Sequence, residues 1–274
     1  VDDAGRSGEQ GLRLHGERYY RSMNAVPRVK RLVAAIGGNA THPENITGTS
    51  QEQVEIARKT AQALLPIAMM DNRLIITHGN GPVVGKILMR QALTRDRIPP
   101  MTLDICVAHS QGGIAYLLMQ ALENALREAD NARHVACLLT QVEVDAGDPA
   151  FDNPTKPVGP FFSEDQAKAI GAELGWLMKE DSGRGWRHVV PSPKPKHIVD
   201  ISLIRALSER GAVVIAGGGG GIPVVRGPKG VRHGVAAVID GVRHVARFIR
   251  CDPRRPFSSC HLHSWWYFCS VEAY

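Results

Sequence analysis

Three short apolar runs in this chain each end in a glycine cluster. Leu32 to Ile36 runs into Gly37-Gly38-Asn39, Leu74 to Thr77 into His78-Gly79-Asn80-Gly81, and Val213 to Ala216 into Gly217 to Gly221. Glycine after a strand lets the main chain turn tightly and bring its amides close to an anion, and open α/β sheets keep such turns at the carboxyl ends of their strands. The pattern predicts an α/β fold in which a phosphate cradle is assembled from separated parts of the chain.

The stretches between these runs agree. Gln53 to Met70 carries apolar residues at helical spacing, a helix is expected from Lys86 to about Leu93, and Gly112 to Arg127 is strongly helical. Val135 to Val144 reads as one strand, Ile198 to Leu207 as a helix, and Ile222 to Val231 as a hairpin around Gly227-Pro228. Strands alternating with helices imply parallel pairing through right-handed crossovers, hence a three-layer α/β/α sandwich with a mainly parallel sheet. Asp148 to Phe162 is rich in proline and lacks a 3.6-residue period. It reads as a functional excursion, the start of a small lid spanning about 146–195.

The net charge of +6 invites a nucleic-acid partner, but its location argues otherwise. Residues 31–240 hold 22 basic and 21 acidic side chains, so the excess sits in the two ends. Neither nucleic acid nor membrane is expected, because no apolar run approaches the roughly 18 residues that span a bilayer. Five cysteines without a secretory pattern suggest a reducing compartment, and the cytoplasm is the expected location. Residues 1–29 read as an extension without structure, and Met23, just before the first strand, as a possible natural start.

Six motifs, RLVAAIGGNA, ITHGNGPVVG, LDICVAHSQGGIAY, DPAFDNPTKPVGPFF, DSGRGWRHVVPSPKP and AGGGGGIPV, occur in the order found in carbamate kinases, and residues 30–240 resemble that branch of the amino-acid kinase family. The resemblance implies phosphoryl transfer between ATP and carbamate to give ADP and carbamoyl phosphate, with Mg²⁺ and a homodimer. It also implies site residues. Gly37, Gly38 and Asn39 form the first turn at the transferring phosphoryl, together with Lys156, a mobile positive charge. Gly79, Asn80 and Gly81 hold the small acid, and Gly218, Gly219, Gly220 and Gly221 lie near the nucleotide phosphates. Carbamate is already an anion, so His78 is read as packing its turn rather than as a general base. Asp104, Ser110 and Gln111 are read as a helix start or dimer face, and Asp181, Arg184 and Arg187 as local ion pairs.

The match stops abruptly after Asp240. The family continues with a lysine and an aspartate where this chain has Gly241 and Val242. The family's lysine stabilises the moving phosphoryl. Residues 241–274 mix Arg, Pro, Ser, Cys, His and Trp without a sustained period, do not read as the continuation of a sheet, and suggest a shifted reading frame that cuts the nucleotide half short. Cys260-His261-Leu262-His263 lacks the second separated pair that a zinc site needs. An impaired enzyme is therefore expected. The alternatives are a non-catalytic remnant that binds small anions or acts as a dimer partner, and a related kinase for another small acid.

Overall fold

The computed structural model describes residues 31–43, 46–239, 259–263 and 266–271, with only the backbone described for Arg31, Asn39, Ala40 and the last two segments. The expectations for residues 1–29 and for Gly241 and Val242 lie outside the described residues.

The chain runs β1 (Arg31–Ile36), α1 (Gly38–Thr41), α2 (Ser50–Ala68), β2 (Arg73–His78), α3 (Gly81–Thr94), α4 (Leu103–Glu128), β3 (Val135–Leu138) and β4 (Gln141–Val144). It continues through β5 (Lys156–Phe162), α5 (Glu164–Leu174), β6 (Met178–Glu180), β7 (Trp186–Val190), β8 (Pro195–Ile198), α6 (Ile201–Glu209) and β9 (Val213–Ala216). The last strands are β10 (Ile222–Arg226), β11 (Arg232–Gly234), β12 (Ser259–His263) and β13 (Trp266–Val271). A six-stranded sheet in the order β12-β13-β1-β2-β9-β3 forms the centre, beside a four-stranded sheet β11-β10-β4-β8 and a three-stranded sheet β5-β7-β6.

The runs Leu32–Ile36 of β1, Leu74–Ile76 of β2 and Val213–Ala216 of β9 are apolar because both faces of the central sheet are covered. Leu32, Ala34, Ile36, Leu74, Ile76, Val213 and Ile215 pack with Ala61, Leu64 and Ile67 of α2 and Leu118, Leu122 and Leu126 of α4. Val33, Ile75, Val214 and Ala216 face the other way, onto Ile204 of α6 and onto Val142, Val144 and Ile198 of the second sheet. This is the expected α/β/α layering around a parallel sheet, and α2 begins where its residues allow. Thr49 accepts from the Glu52 amide at 3.3 Å while the Glu52 carboxylate accepts from the Thr49 amide at 2.8 Å, a reciprocal cap.

Strand register does the positioning. β1 and β2 pair in parallel with Ile36 opposite His78, so Gly37 and Gly79 leave the sheet side by side. β2 and β9 pair in parallel with Ile76 opposite Ile215, which brings Gly217 out at the same end.

Several sequence expectations need correction. Val135 to Val144 is two strands in two sheets, because Thr140 bends the chain: its hydroxyl donates to the Leu138 carbonyl at 2.9 Å and accepts the Gly217 amide at 2.8 Å. No glycine or proline marks the bend, so the run reads as continuous. Asp148 to Phe162 is not irregular throughout, since residues 156–162 form β5, paired antiparallel to β7. Ile198 ends β8 and the following helix begins at Ile201. The tail does contribute to the sheet: β12 and β13 form an antiparallel pair, and β13 runs antiparallel along β1 with Arg31 opposite Val271. A strand edge offers unpaired amides and carbonyls whatever the pattern of the segment that covers it.

Candidate functional site

The first glycine turn touches the second. Gly79 donates its amide to the Ile36 carbonyl at 2.8 Å, and a Cβ on Gly79 would lie 2.8 Å from the Gly38 nitrogen, so no side chain fits between the turns. The Thr41 hydroxyl ties them, donating to the Gly38 carbonyl at 2.9 Å and reaching the Gly79 carbonyl at 3.4 Å. Neither Gly37 nor Gly38 has a positive φ. Close approach, rather than left-handed backbone, is what the second turn requires of its glycine.

The second turn touches the third. Gly219 has φ +64, and a Cβ there would fall 2.2 Å from the Asn80 amide; a Cβ on Gly218 would fall 2.3 Å from His78 Nε2. Asn80 is buried and donates through Nδ2 to Ser110 Oγ at 2.8 Å, which leaves the first-turn amides of α3 without a side-chain cap. Uncapped amides at a helix start, aimed by a fixed turn, are the donors an anion needs. Gly81 opens that helix, and a Cβ on it would meet no atom within 4 Å.

The predicted glycines of all three turns therefore lie together at the carboxyl ends of adjacent parallel strands. Lys156 does not belong to that cluster directly. It begins β5, on the three-stranded sheet, and the link is through α3, where a Cβ on Gly85 would lie 2.0 Å from Gly159 Cα. Asn39, of which only the backbone is described, lies in α1 directly after Gly38.

Three buried polar residues hold the turns in place, and two of them, Ser110 and Gln111, were expected elsewhere. Ser110 and Gln111 are interior to α4 and buried rather than at its start or on a dimer face. Gln111 donates to the Gly218 carbonyl at 2.8 Å and accepts the Thr140 amide at 2.6 Å, while Thr77 donates to the Gly217 carbonyl at 2.9 Å. Successive residues of one helix thus hold the second and third turns. The only sequence signal was a pair of polar residues on an otherwise apolar helix face, which the following Gly112-Gly113 disguised as a helix start.

His78 is fully buried, and burial brings its pKa down to about 4, so the ring is neutral at physiological pH. Its Nδ1 lies 3.1 Å from the Gly79 carbonyl, which places the proton on Nδ1. Nε2 has no partner among the described residues. A neutral ring wedged beneath two turns fits a packing role. Asp181 pairs with Arg187 at 3.1 Å and Arg184 at 3.3 Å, local ion pairs as expected. Among the described residues no group of three or more His, Cys, Asp or Glu side chains could hold a metal ion, and no helix is long and apolar enough to cross a membrane.

Comparison with known proteins agrees with this architecture. A family model described as the amino acid kinase family matches residues 30–235. The carbamate kinase of Pyrococcus furiosus is 48% identical over 213 residues, covering 77% of this chain and 68% of that protein. Among solved structures, a carbamate kinase from Giardia lamblia bound to citric acid superposes with a TM-score of 0.72 at 40% identity, covering 76% of this chain and 67% of that one. The same enzyme bound to AMP-PNP gives 0.66 at 40% identity, covering 76% and 66%. The chain therefore belongs to the amino acid kinase family, as a carbamate kinase-like phosphotransferase.

Proposed function

We propose that this scaffold exchanges a phosphoryl group between ATP and carbamate, giving ADP and carbamoyl phosphate, and that turnover by the chain as written is impaired. The observation that carries the reading is the meeting of three glycine turns, Gly37-Gly38, Gly79 to Gly81 and Gly217 to Gly221, at one end of the parallel sheet. Phosphoryl transfer needs donor and acceptor held in line and the spreading charge neutralised, and backbone amides with a lysine supply both. Gly37, Gly38 and Asn39 would hold the transferring group, Gly79, Asn80 and Gly81 the carbamate, Gly218 to Gly221 the nucleotide phosphates, and Lys156 a compensating charge. Carbamate needs no deprotonation, and a neutral buried His78 agrees with that.

In the third turn Gly219, Gly220 and Gly221 all have positive φ, and a Cβ at any of them would collide with Asn80, Ile239 or Val142, which supports a turn whose main chain rather than side chains is on offer. The AMP-PNP bound by the Giardia relative supports nucleotide use. Magnesium supplies charge neutralisation on nucleotide phosphates when bound. Impairment is argued from Gly241 and Val242, since losing one preorganised charge donor costs about 10² to 10³ in rate. We also place the protein in the cytoplasm as a homodimer. Support for the dimer comes from the exposed Ile105 and Tyr116 on α4 and from the exposed Leu139, which lies 3.7 Å from where a Cβ on Gly112 of the same helix would sit.

Calorimetry with carbamoyl phosphate, and ATP formation from carbamoyl phosphate, ADP and Mg²⁺, test the two halves of this proposal. Binding with little turnover is expected, and Lys156→Met should weaken that binding about tenfold, the effect of about 1.4 kcal/mol. Absence of carbamoyl phosphate binding refutes the scaffold reading. Robust ATP formation refutes the impairment.

A further inference from the structure

Beside the first two turns lies an ammonium–imidazole contact with no part in the chemistry above. His42 follows α1 directly, donates its amide to the Gly38 carbonyl at 2.7 Å, and is buried. Lys86, on α3, reaches back toward the start of its helix, as long helical side chains do, and places Nζ 2.7 Å from His42 Nε2 and 2.7 Å from the Thr47 carbonyl. The site is built around that ammonium: Gly48 has φ +87, and a Cβ there would lie 2.5 Å from Lys86 Nζ and 2.7 Å from His42 Cε1.

Lysine only donates, so His42 Nε2 must be the acceptor and the ring must be neutral, with its proton on Nδ1. Lys86 from α3 and Glu52 from α2 are the charged groups that act on the ring. The Glu52 carboxylate is already engaged by the amides of Gly48 and Thr49, each at 2.8 Å. Burial and the Lys86 charge both hold the His42 pKa below its ordinary value, against the opposing pull of Glu52.

One end of this contact belongs to the element that follows the first glycine turn, and the other to the helix that follows the second. Building on the anion-site reading above, we propose that His42 and Lys86 are positioning residues that clamp the Gly37-Gly38 turn against the Gly79–Gly81 turn, and that protonation of His42 opens the clamp and weakens oxyanion binding. Two cations cannot share a contact of 2.7 Å, and a protonated Nε2 has no lone pair left for Lys86.

The experiment follows the backbone amide resonances of Gly38 and Gly79 in ¹⁵N-labelled full chain from pH 7.5 to 5.0, with sulfate affinity measured by calorimetry over the same range. Sulfate keeps its charge throughout. In the wild type the two amide signals should move together with one midpoint below the ordinary histidine value, and sulfate affinity should fall about tenfold, which corresponds to losing one charge-assisted hydrogen bond. His42→Gln keeps an acceptor for Lys86 that does not titrate, so it should retain neutral-pH affinity and abolish both pH responses. Lys86→Met should bind sulfate about tenfold more weakly at every pH. Glycine signals that ignore His42 protonation, or an unchanged response in His42→Gln, overturn the proposal. The NMR readout needs no ligand, so it decides the clamp even if carbamoyl phosphate fails to bind and the functional reading falls.

Discussion

Two alanine substitutions in the glycine turns should behave in opposite ways. At Gly219 the backbone is left-handed, and an added methyl would lie 2.2 Å from the buried Asn80 amide. Left-handed backbone costs a non-glycine residue about 1–2 kcal/mol. Driving Asn80 off Ser110 would strand buried polar groups at a further cost of about 1–3 kcal/mol. Gly219→Ala should therefore destabilise the protein by about 3 kcal/mol, roughly 6–12 °C in midpoint for a chain of this size. Gly81 opens α3 in space that a methyl can enter freely. Gly81→Ala should gain about 0.5–1 kcal/mol by narrowing the unfolded ensemble. Its methyl would nevertheless stand at the amide face proposed to receive carbamoyl phosphate, so affinity should fall while stability rises. Urea unfolding and calorimetry on the two variants check this. A Gly219→Ala midpoint matching wild type would refute the packing argument, and unchanged carbamoyl phosphate affinity in Gly81→Ala would refute the location of the anion.

Other expectations follow from the same geometry. Gln111→Leu leaves the Gly218 carbonyl and the Thr140 amide unpaired and should cost about 2–4 kcal/mol in chemical unfolding. Arg133 donates to the carbonyls of Gly211, Ala68, Met70 and Asn72, fastening the loops at the far end of the sheet. Arg133→Met should lower stability by about 2–4 kcal/mol in the same assay, without changing anion affinity. Burial depresses the pKa of His78 to about 4, so the unfolded chain binds an extra proton between roughly pH 6.5 and 4. Stability from this group is complete above pH 6.5 and lost as pH falls toward 4, up to about 3 kcal/mol. Unfolding free energies across that window should show the loss in wild type, and a weaker pH dependence in His78→Phe.

Much of the fold was legible because local chemistry announces it. The apolar runs of β1, β2 and β9 and the glycines that end them mark buried parallel strands and their turns, and the spacing of Ala57, Ala61, Leu64 and Ala68 marks the buried face of α2. Other features were hidden by residues whose local preference points the wrong way. Gly112-Gly113 suggested a helix beginning there, yet α4 starts at Leu103, because burial of Cys106, Val107, Ser110 and Gln111 outweighs the weak propensity of two glycines. Thr140 interrupts an apolar run without any turn residue, since its bend is stabilised by a hydroxyl bonded to Gly217, far along the chain. Lys156 looked like a loop lysine because prolines surround it, but Pro157 is tolerated at the start of a strand.

By itself, the order of residues determined the units: strand, glycine turn and helix, repeated, with a lysine directly before a proline in the excursion. Tertiary structure alone decided that the turns meet. The Thr77–Gly217 hydrogen bond joins residues 140 positions apart, Gln111–Gly218 joins residues 107 apart, and Lys86–His42 joins residues 44 apart. Backbone preferences act over a few residues, whereas the register of three parallel strands, and the buried polar groups satisfied across them, exist only once the sheet has closed and water has left.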